Sequence, residues 1–133
     1  MTTLFADSYY YLAFLNEKDE GHRKAVHFAK SFRGRSITTE WILTEVGDAF
    51  VQPKQRSAYL QLLHDIQNDP HTIIIEASHE LFTRGVELFA DRSDKQWSLT
   101  DCISFVVMEE HVVLEALTAD RHFEQAGYVP LLI

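Results

Sequence analysis

Four carboxylates stand where an ordinary surface acid would not. Asp7 follows the short apolar run Thr3-Leu4-Phe5-Ala6, and Asp120 follows a second such run ending in Leu117-Thr118-Ala119. Asp101 opens the stretch WSLTDCISFVVM, in which Ser104 is the only polar residue from Cys102 onward. On a helix, Asp101 shares a stripe with Phe105 and Met108. Glu45 has Trp41 and Ile42 at i−4 and i−3 and Ala49 at i+4, so it faces the apolar side of its own helix. A carboxylate so placed is costly unless something compensates it. Two of them about 4 Å apart repel by roughly 4 kcal/mol at an effective dielectric of 20, so a cluster of four calls for protons or cations. Oxygen donors without cysteine or clustered histidine select Mg²⁺ or Mn²⁺ over zinc. A divalent pair held by carboxylates supports in-line displacement at a phosphodiester. One cation lowers the pKa of an attacking water and the other stabilises the leaving oxygen.

Each acid also has a plainer reading. Asp7-Ser8 is a good helix N-cap pair. Glu45 could reach water along its own stem or pair with a cation. Ser98 and Asp101, three apart, fit a capping box, and acids favour first helical turns. Asp94, in the charged loop 91–97, reads better as an exposed loop acid than as part of a site. The seven histidines lack His-x₃-His ligand spacing and read mostly as surface residues. Cys102 lies inside a helix expected to be buried, which removes it as a nucleophile, and the five glycines are scattered singly, with no phosphate-cradling loop.

The elements that must position these acids follow from the apolar spacing. Thr3 to Ala6 reads as a strand and Tyr9 to Leu15 as a short aromatic helix. Glu20 to Phe32 forms an amphipathic helix closed by Arg33-Gly34-Arg35. Ser36 to Thr38 is a strand, after which Thr39 caps a helix from Glu40 to Val51. Pro53 introduces a helix from Lys54 to Asn68. Thr72 to Ile75 is a β-branched strand expected to be buried on both faces. Ser78 caps a helix to Ala90 with Phe82, Val86 and Phe89 at i, i+4 and i+7. The apolar helix through Met108 then leads to a strand from Val112 to Thr118, and Gly127 turns the chain into a last strand, Val129 to Ile133. The order β-α-α-β-α-α-β-α-α-β-α-β predicts one α/β domain with a mostly parallel central sheet and helices on both faces. Asp7 and Asp120 then fall at the carboxyl ends of strands, where open parallel sheets bind ligands.

Composition narrows the class. The chain has 133 residues, 46% of them hydrophobic, which suits one domain with a real core. No apolar run is long enough to span a bilayer, and no signal peptide is visible at the first residues. The single cysteine excludes an internal disulfide, which favours a reducing cytoplasm. A net charge of −8 argues against nucleic-acid binding through overall charge. It leaves room for a local basic rim, for which Arg33, Arg35, Lys54, Arg56, Arg92, Lys95 and Arg121 are the candidates. Tyr9, Tyr10, Tyr11 and Trp41 near the first acids read as core rather than as a partner groove.

At these same residues the chain resembles a known family. Phe5-Ala6-Asp7-Ser8, Thr39 with Glu45, Ser98-Leu99-Thr100-Asp101 and Leu117 to Phe123 are similar to the successive motifs of PIN-domain ribonucleases, most of all the small VapC-like toxins of toxin–antitoxin pairs. The resemblance spans essentially the whole chain. It implies a PIN-like domain over residues 1–133 and a Mg²⁺- or Mn²⁺-dependent endoribonuclease that leaves 5′-phosphate and 3′-hydroxyl ends. It assigns Asp7, Glu45, Asp101 and Asp120 as the metal-binding acids, with Asp7 and Asp101 matching best. Ser8, Thr39, Ser98 and Thr118 would be hydroxyls orienting those acids, with helix capping as the competing role for Thr39 and Ser98. It also implies an RNA substrate, an antitoxin protein and a homodimer. A PIN-fold interaction module without catalysis is the alternative. A phosphoryl-accepting domain built on Asp7 is disfavoured, because Ser8-Tyr9 offers no second acid and no lysine follows the late strand.

Overall fold

The computed structural model describes residues 2–133. Its element order is β1 (Thr3–Ala6), α1 (Ser8–Leu15), α2 (His22–Ser31), β2 (Arg35–Thr39), α3 (Glu40–Asp48), α4 (Pro53–Gln67), β3 (Thr72–Ile75), α5 (His79–Asp91), α6 (Leu99–Glu110), β4 (Glu115–Leu117), α7 (Arg121–Gln125) and β5 (Val129–Pro130). This is the order that the apolar spacing predicts. The strands form one sheet, β3-β2-β1-β4-β5, and every pairing is parallel. Right-handed crossovers carry the chain from β1 to β3 in one direction and from β3 back to β4 and β5 in the other. The helices accordingly pack as two groups, α1 to α4 and α5 to α7, which cover opposite faces. Strand order reverses between β1 and β4, so a crevice opens beyond their carboxyl ends. That crevice is where the acids meet.

Local chemistry sets the helix starts. Thr39 Oγ1 accepts from Ile42 N at 3.1 Å, Ser78 Oγ accepts from Leu81 N at 3.2 Å, and Pro53 occupies the first turn of α4. The core runs through Leu4, Phe5, Ile42, Val46, Leu117 and Phe123, with α6 as its centre. Cys102 through Met108 are buried without a break, as their composition requires. Trp97 closes the top of that helix edge-to-face on Phe105, at 5.1 Å between ring centroids, and donates to Gln125 Oε1 at 3.1 Å. Gly85 lets α5 approach α6 closely, since a Cβ there would strike the Ile103 side chain.

The structure corrects several expectations. β3 is an edge strand rather than a doubly buried one, and Ile73 is exposed because no strand pairs beyond it. A β-branched run cannot reveal by itself which place it takes in a sheet. Phe82, Val86 and Phe89, spaced like a core stripe, lie exposed on α5, while Leu81 and Gly85 face inward. The strand expected from Val112 to Thr118 is limited to Glu115–Leu117, because Val112 takes a left-handed conformation (φ 54°) that ends α6. The last strand is two residues rather than five, and α3 stops at Asp48, short of Val51.

Candidate metal centre

Asp7 leaves the end of β1 and enters α1 at the N-cap position, yet its side chain caps nothing. Its Oδ2 instead accepts from Thr118 Oγ1, at 2.7 Å, across the β1–β4 crevice. Thr118 is fully buried, and its oxygen also accepts from Asp120 N at 3.0 Å, so one hydroxyl fixes the first acid and the backbone of the last. Thr118 comes from the end of β4 and Asp7 from the end of β1, which makes their contact a direct product of the parallel register. The plain N-cap reading of Asp7 is therefore not what the structure shows.

Asp120 caps α7, with Oδ1 accepting from His122 N at 2.8 Å. That turn brings the His122 ring back between two carboxylates. Nδ1 lies 3.3 Å from Asp101 Oδ2 and 3.3 Å from Asp120 Oδ1. Asp101 arrives from the opposite element, the first turn of α6. Its Oδ2 accepts from Ser98 N at 3.2 Å, and Ser98 Oγ accepts from Asp101 N at 3.0 Å. The capping box is thus real, and the same carboxylate still reaches the cluster. The Asp101 side chain remains only 14% exposed.

Glu45 corrects the sequence reading in one respect. The residue is exposed rather than inward, because α3 turns that face toward the mouth of the crevice. It nonetheless meets the site, since Ser8 Oγ donates to Glu45 Oε1. Of the four hydroxyls, Ser8 and Thr118 hold acids directly and Ser98 does so through the capping box. Thr39 serves as the cap of α3. Asp94 is an exposed loop acid, clamped by Arg92 at 3.0 Å and 3.2 Å and 3.7 Å from Lys95.

The electrostatics show the acids acting on one another. Burial pushes the Asp7 carboxyl from 3.8 up to about 7, opposed by the Thr118 hydrogen bond and reinforced by the charges of Asp101 and Glu45. Asp101 is also raised, first by burial and then by Asp120, while the Ser98 backbone and His122 pull it down. The couplings link all four acids, Glu45 to Asp7, Asp7 to Asp101, and Asp101 to Asp120. Among the described residues, Asp101, Asp120 and His122 can each offer a ligand atom within 4.8 Å of the others, with Asp7 outside that tightest group. Carboxylate oxygens with one imidazole suit a hard or borderline divalent cation. His122 was missed by ligand spacing. The signal available was its place two residues after a capping acid, where the helix turn returns the side chain toward the cap.

No protein-family model matches the sequence, and no curated protein matches it. Among solved structures, the chain is similar to VapC20 of Mycobacterium tuberculosis, described as a sarcin-ricin loop cleaving toxin. The TM-score is 0.87 and the identity 21%, over 98% of this chain and 99% of that one. The two share a fold. The PIN-like α/β architecture expected from the motifs is therefore the architecture of the chain, over essentially its full length.

Proposed function

We propose that this protein is a divalent-metal-dependent endoribonuclease, the toxin of a toxin–antitoxin pair. The observation that carries the proposal is the Asp7–Thr118–Asp120 bridge across the β1–β4 crevice, with Asp101 and His122 facing it from α6 and α7. Helix capping accounts for Asp101 and Asp120 singly but not for four coupled carboxylates meeting at a topological switch point, and their mutual repulsion is relieved by cations. The RNA substrate rests on the likeness in fold to a toxin that cleaves a sarcin-ricin loop.

Asp7, Asp101 and Asp120 would hold the cation, with His122 between the last two and Glu45 at the mouth. Bound there, Mg²⁺ or Mn²⁺ supplies charge stabilisation at the phosphoryl group and a more acidic attacking water. Thr118 keeps the Asp7 carboxylate in one orientation, and Ser8 does the same for Glu45. Because Asp7 holds its proton to about pH 7, cation binding must release that proton and strengthens as pH rises through neutrality. Three further elements of the reading are an antitoxin partner, a cytoplasmic setting and a homodimer. The exposed stripe Phe82, Val86 and Phe89 on α5 supports the homodimer. No helix among the described residues is long and apolar enough to cross a membrane.

The test compares wild type with Asp101→Asn in Mn²⁺ titration calorimetry and in cleavage of a structured RNA. Wild type should bind Mn²⁺ and cut, leaving 5′-phosphate ends, and the variant should lose both. Equal binding and cleavage by the variant would overturn the site. Failure of both proteins to cut any RNA would favour an interaction module on the same fold.

A further inference from the structure

Two grooves flank the acid cluster, and their charges are opposite in kind. The first opens on the α3 side, about 320 Å³ in volume, and is lined by Glu40, Glu45 and Asp48 with no cation. A phosphate backbone laid there would meet three carboxylates. The second, about 290 Å³, opens on the other side, between the start of α1, the start of α2 and the β4–α7 loop. Its walls include Tyr9, Lys24, Ala119 and Arg121. These positions come from the segments that carry the site. Tyr9 lies two residues after Asp7, and Ala119 and Arg121 flank Asp120. The groove therefore lies beside the segments that carry Asp7 and Asp120, although neither acid lines it.

The sequence around Lys24 is unusual for so acidic a chain. From His22 to Ser31, α2 holds Arg23, Lys24 and Lys30 and no acid, within a protein of net charge −8. Lys24 is exposed, and no carboxylate pairs with it among the described residues. Arg121 is 66% exposed, with only Glu124 at 3.3 Å on its own helix, a contact weak enough to yield to phosphate. Glu20 is the one acidic side chain among the residues lining this groove, against the two cations Lys24 and Arg121. Gly21 shapes the wall, since a Cβ there would strike the Tyr9 hydroxyl. The Tyr9 ring, half-buried, gives the groove an aromatic side against which a base can stack.

We infer that this groove carries the RNA strand adjoining the scissile phosphate, with Lys24 and Arg121 each contacting a backbone phosphate and the α3-side groove left unused. The inference rests on the ribonuclease reading and adds to it the path of the strand. Arg33 and Arg35 serve as the contrast, because Arg35 begins β2, at the end of the sheet opposite the carboxyl strand ends where the acids lie. For a single strand, each phosphate contact contributes about 0.7 to the slope of log affinity against log salt. Two contacts are then worth about 1.4 in slope, or roughly 25-fold in affinity at 0.1 M salt relative to 1 M.

The experiment measures fluorescence anisotropy of a fluorescein-labelled stem-loop RNA in Ca²⁺ as a function of salt. It is done on Asp101→Asn, on that protein with Lys24→Glu and Arg121→Glu added, and on that protein with Arg33→Glu and Arg35→Glu added. The first pair should weaken binding by at least about 25-fold and flatten the salt slope by at least about 1.4, since the two charges are reversed rather than only removed; the second pair should change neither, and circular dichroism should show all three folded. Mn²⁺ affinity, measured in Lys24→Glu/Arg121→Glu with Asp101 intact, should be no weaker than in wild type, since Arg121→Glu adds negative charge beside Asp120. Unchanged RNA binding in the Lys24/Arg121 variant, or an equal loss in the Arg33/Arg35 variant, overturns the groove. If the wild-type protein cuts RNA and these outcomes still occur, only the strand path is wrong. If it cuts none with Mn²⁺ present, the ribonuclease reading has failed instead.

Discussion

Replacing Asp7 by Asn should make the metal-free protein more stable, and more so the higher the pH. The reason lies in the burial of Asp7, which lifts its carboxyl from 3.8 to about 7. As pH rises from about 4, the unfolded chain releases this proton first, while the native state holds it until about pH 7. Stability is therefore lost across that window and is level outside it. The difference of about 3 between the two values corresponds to ~4 kcal/mol at pH 8. Asparagine keeps an oxygen for the Thr118 hydroxyl and has no charge to desolvate. With unfolding entropy of roughly 2.1 cal/mol/K per residue over the chain, ~4 kcal/mol shifts Tm by about 14 °C. The assay is thermal unfolding of both proteins in EDTA at pH 4, 6 and 8. Near pH 4 the two should melt together; at pH 8 Asp7→Asn should melt higher. Mn²⁺ at about a hundred times its Kd should then raise only the wild type, by ~2.7 kcal/mol. An Asp7→Asn protein no more stable than wild type at pH 8, or one whose advantage is the same at pH 4 and 8, would refute the reasoning.

Three further substitutions probe the scaffold. Thr118→Val removes the donor to Asp7 and the acceptor for Asp120 N. It should cost about 1–3 kcal/mol in urea denaturation, with the larger loss above pH 7, where Asp7 is ionised. Gly85→Ala puts a Cβ against Ile103 at the α5–α6 contact. Overpacking of about 1–3 kcal/mol should outweigh the ~1 kcal/mol gained in helix propensity, and a rise in the denaturation midpoint would contradict this. Phe82→Glu with Phe89→Glu alters an exposed apolar stripe, so the fold should survive by circular dichroism while light scattering shows a dimer becoming a monomer. A variant that stays dimeric, or a wild type monomeric at high micromolar concentration, would place the dimer elsewhere or remove it.

The succession of strands and helices was readable because each segment carries its own period and its own punctuation, such as Thr39, Pro53, Ser78 and the Ser98–Asp101 box. The burial of α6 was equally readable, since seven consecutive residues from Cys102 to Met108 leave no face for water. Four odd acids could likewise be picked out one at a time, Asp101 and Glu45 by apolar neighbours at helical spacing and Asp7 and Asp120 by their place just after apolar strand runs. What local pattern could not supply was anything set by contacts between distant segments. The edge position of β3 and the outward turn of Phe82, Val86 and Phe89 depend on what packs beside them, and apolar spacing is the same in either case. Glu45 shows the same limit, being inward by sequence spacing yet exposed at the crevice mouth, where Ser8 meets it. His122 gained its place only when the α7 turn folded it back between Asp101 and Asp120, 21 positions apart from the first of them. Thr118 and Asp7 lie 111 positions apart, and only the parallel β1–β4 register brings them within a hydrogen bond. The sequence determined which side chains were available for a site and which elements would carry them. The tertiary structure decided that those elements end in one crevice, because reversal of strand order happens between two strands far apart in the chain.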